Sequence, residues 1–557
     1  MDLDSDSEVG DHEEDSEDSD QENEGGDPSA SVPSQGRDAY ARTSLRLEKN
    51  DPELVELTIE DGEYWPSNAH EWQKAGESIA HNTHLKKLAF CSLTDSEEDA
   101  TQEDTESLFR GVAENSSLQT LCFLFVPLRR ELLHILVPFF TNNRNFENLS
   151  FKHCSYECTH SMASALSQFS SLKEFTLVDD RSSEGQLQPL QLQPIIDALS
   201  SHFALQELYL NNTHVGEGAF AALKILLQNT ESKLISLTLI RVGINDQKAA
   251  TLATCLTTNS TLRQLCLNFN PDITETGWMA IFTALCGKSC RIERLGVANN
   301  QISDAAAQSL AKFVTVSESL KNLNIVHSPQ TTEVGWRAIF LALQSPACAM
   351  KTLFIHQNAL DGAKAVLPAV LRRNNSTLER LTLSSTQMDD VAAVAIANAL
   401  SGNHTLRDII LRGNGDNIAI HGWSAFSRAL CNPLNIMSTF QSNHTLQTFV
   451  SGCPLRFLPI WENIQSLLRL NRENSHSEAA RLKIIGTHFL GPKGFAVQPL
   501  VDMDLALLPR AIAWMRRDSA DGGFDEHFYG FLRNTKTWLA GIDSRVNRKA
   551  KKQKTPR

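Results

Sequence analysis

The stretch KHCSYECTH (152–160) puts Cys154, Cys158 and His160 close together, and thiols and imidazoles at such spacing are common zinc ligands. A structural zinc site needs four ligands, with a second pair elsewhere, and no such pair stands out. CGKSC (286–290) has the end of a phosphate-binding loop, but that loop requires glycine at position 282, where Phe282 stands. No Ser–His–Asp order and no paired acids point to catalysis. The expectation is therefore a protein that is not an enzyme and carries no metal or cofactor. The remaining chemistry is recognition, for which exposed aromatic rings and arginines supply most binding energy. Candidates are Tyr209, Asn211, Asn268, Phe354, His356, Arg380 and Arg412, each beside an alternating apolar pattern.

That pattern is what must position them. L-x-x-L-x-L, with Phe, Ile, Val or Met allowed, begins at Leu54, Leu85, Leu118, Phe146, Leu172, Leu205 and Leu234. It begins again at Leu262, Ile292, Leu320, Met350, Leu378, Leu406 and Leu446. Spacings run from 26 to 33 residues, with a final gap of 40. TLRQLCLNFN (261–270), RIERLGVANN (291–300) and TLRDIILRGN (405–414) are the cleanest copies. Alternation over six positions predicts a short strand with one buried face. AAQSLAKFV (306–314) and VAAVAIANAL (391–400) predict helices between strands. One strand and one helix per repeat make a parallel βα solenoid, because each unit can bury its apolar face only against its neighbours.

These residues resemble the leucine-rich repeat in its long, ribonuclease-inhibitor-like form. The resemblance spans 50–455, about 14 repeats, and implies an α/β horseshoe with the parallel sheet on the concave face and helices on the convex face. The family places Asn, Cys, Thr or Ser eight residues after the first Leu, where the side chain bonds the turn backbone. Here that ladder reads Cys154, Thr213, Asn270, Asn300, Ser328, Asn358, Thr386 and Asn414, and it is broken at Gly62, Leu93, Val126 and Val242. The candidate binding residues then fall on the outward face of the sheet.

A Gly-Trp pair recurs in ITETGWMAIFTAL (273–285), TTEVGWRAIFLAL (331–343) and IAIHGWSAFSRAL (419–431). Trp278, Trp336 and Trp423 lie 16 or 17 residues after the first apolar position of their repeats. Ala219, Ala249, Ala307, Ala363 and Ala393 fill the equivalent place at 13 to 15 residues in other repeats. A longer strand-to-helix loop leaves a void, and the large ring is expected to fill it. The glycine is expected to allow close backbone approach or a positive φ.

The net charge of −15 is uneven: residues 1–27 hold 14 Asp and Glu and no Lys or Arg, leaving about −1 for the rest. A nearly neutral body makes nucleic acid an unlikely partner in any case, since that grip needs clustered cations. Segment 1–45 is expected to be acidic and disordered, because it has too little apolar surface to fold. Ser5 and Ser19 within it resemble acidophilic-kinase sites. Residues 456–542 read as short amphipathic helices forming a C-terminal cap, as FLPIWENIQSLLRLN (457–471), EAARLKIIGTHFL (478–490), VDMDLALLPRAIAWMRR (501–517) and FDEHFYGFLRNTKTWLAGI (524–542). The tail 543–557 is basic, and Lys551, Lys552 and Lys554 resemble a short nuclear-import signal.

Eleven scattered cysteines, no signal-peptide pattern and no long apolar run predict an intracellular protein away from membranes. The Asn-x-Ser/Thr sites, Asn259 and Asn403 among them, are then incidental. The expected location is cytoplasmic, and nuclear too if the tail acts in import. The reading is a non-enzymatic scaffold that binds protein partners on its concave face. The alternative is a regulator of an enzyme, like nuclease inhibitors or GTPase activators of the same repeat type. In those activators the acidic run follows the repeats, whereas here it precedes them.

Overall fold

In the computed structural model, residues 34–495 are described apart from 61–64, 93–100, 157–158, 168, 170, 180–191, 373–376 and 492–493. Fourteen strands form one open sheet in chain order, from Glu56–Ile59 to Thr448–Val450, and every neighbouring pair is parallel. The register aligns one apolar residue per strand into a single row. That row runs Leu57, Leu88, Leu121, Leu149 and Phe175, and ends at Leu381, Ile409 and Phe449. All fourteen first positions of the pattern are buried. A one-residue slip would turn this row to the other face, so burial of one face locks the register.

Helices return the chain between strands, among them Ala69–His81, Asp246–Leu256, Glu275–Leu285, Asp304–Val316, Glu333–Ala342, Asp390–Leu400 and Ile420–Leu430. Near the N-terminus the second inward position is phenylalanine in successive strands. Phe90, Phe123 and Phe151 stack at 5.4 and 5.2 Å, forming a spine along the sheet.

The turn ladder forms in part: the asparagine posts, Cys154 and Thr386 bond backbone carbonyls, whereas the buried hydroxyls of Thr213 and Ser328 make no hydrogen bond among the described residues. Asn270 Nδ2 donates to Leu239 O at 2.9 Å, and its Oδ1 accepts from Val242 N at 3.1 Å, both in the preceding repeat. Asn300, Asn358 and Asn414 repeat this bridging, while Val126 and Val242 fill the post with a buried aliphatic side chain instead. Gly62 and Leu93 lie outside the described residues.

A second ladder, unforeseen in the sequence, runs along the helix-to-strand loops. Asn115, Asn259, Asn403 and Asn443 each donate from Nδ2 to a carbonyl in the preceding repeat and accept backbone N–H groups two and three residues on. In these loops the Asn-x-Ser/Thr pattern is thus architectural: the amide of Asn443 is fully buried. The recurrence of N-x-S/T-L just before the strand was the available signal.

A third regularity is conformational. Ser92, Phe125, His153, Asn212, Arg241, Phe269, Asn299, His327, Gln357 and Ser385 all have φ between 50° and 58°, one per repeat, and each directly precedes its ladder position. Gly413, at φ 69°, continues the row. Only one of these eleven is glycine, so the usual glycine signal for a left-handed residue was missing.

The N-terminal expectation needs correction. A helix over Ser34–Glu48 occupies the end of the segment 1–45 assigned to disorder. Leu47 enters the core and Tyr40 packs against it, which supplies the apolar burial that the acidic stretch itself lacks. At the other end, helix Leu458–Glu473 docks Trp461 edge-on against Trp423, 6.2 Å between centroids, and beside Phe449. Helix His476–Ile484 follows, and Lys483 Nζ donates to Leu430 O at 2.8 Å and Asn443 O at 2.9 Å. The stretches 501–517 and 524–542 lie outside the described residues.

Candidate functional site: the concave sheet

Each strand buries its leucine-type residues and turns the residues between them outward. On strand Glu207–Asn211, Tyr209 and Asn211 are half-buried and Asn211 Nδ2 lies 3.4 Å from the Tyr209 hydroxyl. Burial pushes the Tyr209 phenol pKa up. Glu207 sits in register with Glu174, whose carboxyl is raised first by burial and then by the Glu207 charge.

Toward the C-terminus the next strands carry small residues on this face, Cys266 and Gly296. Cys266 is almost fully buried, with its thiol pushed up to about 11 by burial. On the next strand, a Cβ added to Gly296 would meet Cys266 Sγ and Asn268 Oδ1, both at 3.1 Å. Asn268 Oδ1 accepts from Ala298 N at 2.8 Å, so this candidate already ties neighbouring turns together.

Phe354 is half-buried, in register between Asn324 and Thr382. His356 Nδ1 lies 3.4 Å from Thr382 Oγ1. Arg380 Nε donates to Asp408 Oδ2 at 3.2 Å, which orients the guanidinium along the face. Arg412 is exposed at the end of its strand segment. Six of the seven candidates therefore fall into two groups, Tyr209 with Asn211, and Phe354, His356, Arg380 and Arg412. Five strand steps separate Tyr209 from Phe354, roughly 24 Å at ~4.8 Å per step. Asn268 lies between them.

Sequence reasoning missed the row just before each strand. There Lys173 pairs with Glu147 at 2.6 Å, Lys321 with Glu293 at 2.6 Å, and Lys351 with Glu379 at 2.8 Å. It also missed Arg294, exposed on its strand. A charge at the position after the first Leu in most later repeats was the signal.

The zinc candidate does not assemble among the described residues. Cys154 is buried, its thiol is raised to about 11 chiefly by burial, and its Sγ lies 3.5 Å from Phe123 O. Cys158 lies outside the described residues.

A leucine-rich repeat family model matches residues 374–397. The ribonuclease inhibitor of Mus musculus is 25% identical over 214 residues, covering 38% of this chain and 46% of the inhibitor. That of Sus scrofa is 23% identical over 341 residues, covering 56% of this chain and 74% of the inhibitor. A solved structure of the yeast Rad7 and Elc1 complex aligns at 17% identity with a TM-score of 0.41, covering 69% of this chain and 91% of that one. The open parallel sheet with returning helices defines a leucine-rich repeat solenoid. The chain carries a leucine-rich repeat match and is similar in sequence to leucine-rich repeat proteins of the ribonuclease-inhibitor-like type.

Proposed function

We propose that the protein is a non-enzymatic scaffold that binds protein partners on its concave sheet. The observation that carries this reading is the pair Phe354 and Arg380, on adjacent strands whose register is set by the buried row behind them. Aromatic and arginine side chains held by rigid strands lose little freedom on binding, so more of their contact energy appears as affinity. Tyr209, His356 and Arg412 extend the same surface. Asn211 and Asn268 position neighbours. The test is affinity capture with the full chain followed by mass spectrometry, repeated with Phe354→Ala and Arg412→Ala combined. Partner recovery should fall at least tenfold, about 1.4 kcal/mol; unchanged recovery overturns the site.

The length of the Sus scrofa alignment favours one narrower form, a regulator of an enzyme in the manner of a nuclease inhibitor. Inhibition of a purified ribonuclease by stoichiometric protein would support it, and full nuclease activity would remove it. The flanking segments complete the proposal. Residues 456–542 would cap the solenoid, and Lys551, Lys552 and Lys554 would direct part of a cytoplasmic population to the nucleus. Deleting 545–557 from a fluorescent fusion should then abolish nuclear signal.

A further inference from the structure

The concave face is electrically lopsided. Six consecutive repeats, from strand Gln264–Cys266 to strand Asp408–Ile410, contribute their outward strand residues, the residue before each strand and the two after the next apolar position. These positions hold seven cations, Arg263, Arg294, Lys321, Lys351, Arg380, Arg407 and Arg412, against three acids, Glu293, Glu379 and Asp408. Each of the three acids is already engaged, by Lys321, Lys351 and Arg380 respectively, and Arg263 shares Glu293 at 4.0 Å. Arg294, Arg407 and Arg412 are exposed, and no ion pair reaches them among the described residues. The corresponding positions of the seven preceding repeats hold five cations and seven acids. The excess positive charge therefore belongs to one half of the sheet, in a body whose charge outside residues 1–27 is about −1.

The complement to this surface is in the same chain. Residues 1–27 carry 14 carboxylates and no Lys or Arg. They are joined through six residues to the helix Ser34–Glu48, which lies at the first-strand end of the solenoid. Eight strand steps separate the first strand from Arg294–Gly296, and twelve separate it from Asp408–Ile410. At ~4.8 Å per step those are arcs of roughly 40 and 60 Å, and the chord across a curved sheet is shorter. Thirty-three residues of extended chain reach up to about 110 Å. A segment tethered at that length acts at an effective concentration in the millimolar range, so weak charge pairing suffices for substantial occupancy.

We infer that residues 1–27 occupy the basic half of the concave sheet and compete there with the scaffold's partner. This deepens the binding reading of the same surface, and rests on it only for the word compete. The consequence is regulatory: a partner must displace the segment, and phosphate on Ser5 or Ser19 would tighten the intramolecular contact by adding charge.

The test uses the full chain and a zero-length carbodiimide reagent, which joins a carboxylate to an amine it touches. Mapping by mass spectrometry should find residues 1–27 linked to Lys321 and Lys351, which stand 44% and 51% exposed. Mixing isotope-labelled and unlabelled chains should show these links within one chain. Raising salt from about 0.05 to about 0.5 M, where the Debye length falls below about 5 Å, should cut their yield several-fold. The variant Arg294→Glu, Arg407→Glu, Arg412→Glu should lose the links while keeping the circular dichroism spectrum and melting transition of the parent. Links chiefly to the lysines of 545–557, links chiefly between chains, or yields unchanged in the triple variant would each overturn the inference. None of these outcomes involves a partner, so the scaffold reading stands or falls separately on Phe354→Ala with Arg412→Ala.

Discussion

The amide of Gly335 donates a 3.0 Å hydrogen bond to Oδ1 of Asp304, the first residue of the helix one repeat earlier. The same carboxylate accepts from Thr332 N at 2.8 Å and from Thr332 Oγ1 at 2.6 Å. Gly277 with Asp246 and Gly422 with Asp390 repeat the bond at 3.2 and 2.7 Å. One carboxylate thus serves the unpaired N–H groups that begin the neighbouring helix. None of the three glycines has a φ in the left-handed region, so the reason for glycine is proximity alone. A Cβ at position 335 would lie 2.7 Å from Asp304 Oδ1 and 2.9 Å from Ala307 Cβ.

Gly335→Ala should therefore destabilise the solenoid by about 1–3 kcal/mol, in the range of overpacking. Asp304→Ala should cost about 1–2 kcal/mol through the lost cap. Because one removes the atom the other collides with, the two losses should not add. Urea unfolding of both single variants and the double variant measures this, and simple additivity would contradict the shared contact.

Trp336 is fully buried and stacks on Phe340 at 6.1 Å. Trp336→Ala should cost about 3–5 kcal/mol through the cavity left behind. The indole N–H of Trp336 is buried without an acceptor, whereas that of Trp423 donates to Ile418 O at 3.1 Å. Trp336→Phe removes an orphaned donor and should lose clearly less than Trp336→Ala. Partner binding by Trp336→Phe should match the parent, since the ring lies behind the sheet; lost binding in a folded variant would assign the tryptophan to the interface.

Asn443 holds four backbone groups: it donates to Leu400 O and Asn403 O, and accepts from Thr445 N and Leu446 N. Asn443→Ala leaves buried polar backbone unanswered and should cost about 2–3 kcal/mol. Hydrogen exchange should place the loss in the last repeat and the cap. Exchange spread evenly over the solenoid would argue against a local role.

The junction between the last repeat and the cap should weaken in acid. The His444 pKa is lowered to about 4, first by burial and then by the charge of Lys483, with the Phe440 carbonyl opposing. His476 lies 5.1 Å from His444 and 5.5 Å from His404, and Arg481, close by on the cap helix, is paired with Glu478. The unfolded segment takes its proton near the ordinary value of 6.5, before the folded one does. Stability present above pH 6.5 is thus lost as pH falls toward 4. Lys483, lowered to about 7 by burial, works over a different window: the folded amine loses its proton first, so the junction tightens as pH rises above 7. Exchange rates in helix His476–Ile484 across pH 4–8 test both, and His444→Gln should flatten the acid limb selectively.

The repeat period, the strand positions and the buried row were legible in the sequence because each depends on apolar spacing of two, three or about 28 residues. The first ladder was legible because its residue types recur in register. The second ladder was not, since Asn115, Asn259, Asn403 and Asn443 carry the pattern of a modification site and only packing shows the amides of Asn115, Asn403 and Asn443 buried and that of Asn259 half-buried. The left-handed row was hidden because Phe, His, Arg and Gln hold it where glycine was the expected marker. Of the binding candidates, Phe354 and Arg412 could be named from the strand pattern. That Asn268 is already bonded to Ala298 and that Arg380 is paired with Asp408 could not.

Apolar periodicity by itself determined that this chain is a solenoid and which face of each strand is buried, because a repeat can hide its leucines only against the next. The tertiary structure decided which polar groups remain available. Asp304 meets Gly335 across 31 residues of chain, and among the described residues no ion pair reaches Arg294, Arg407 or Arg412, whereas Arg380 pairs with Asp408. Pairing depends on distances between repeats of a few ångströms, which no local pattern encodes.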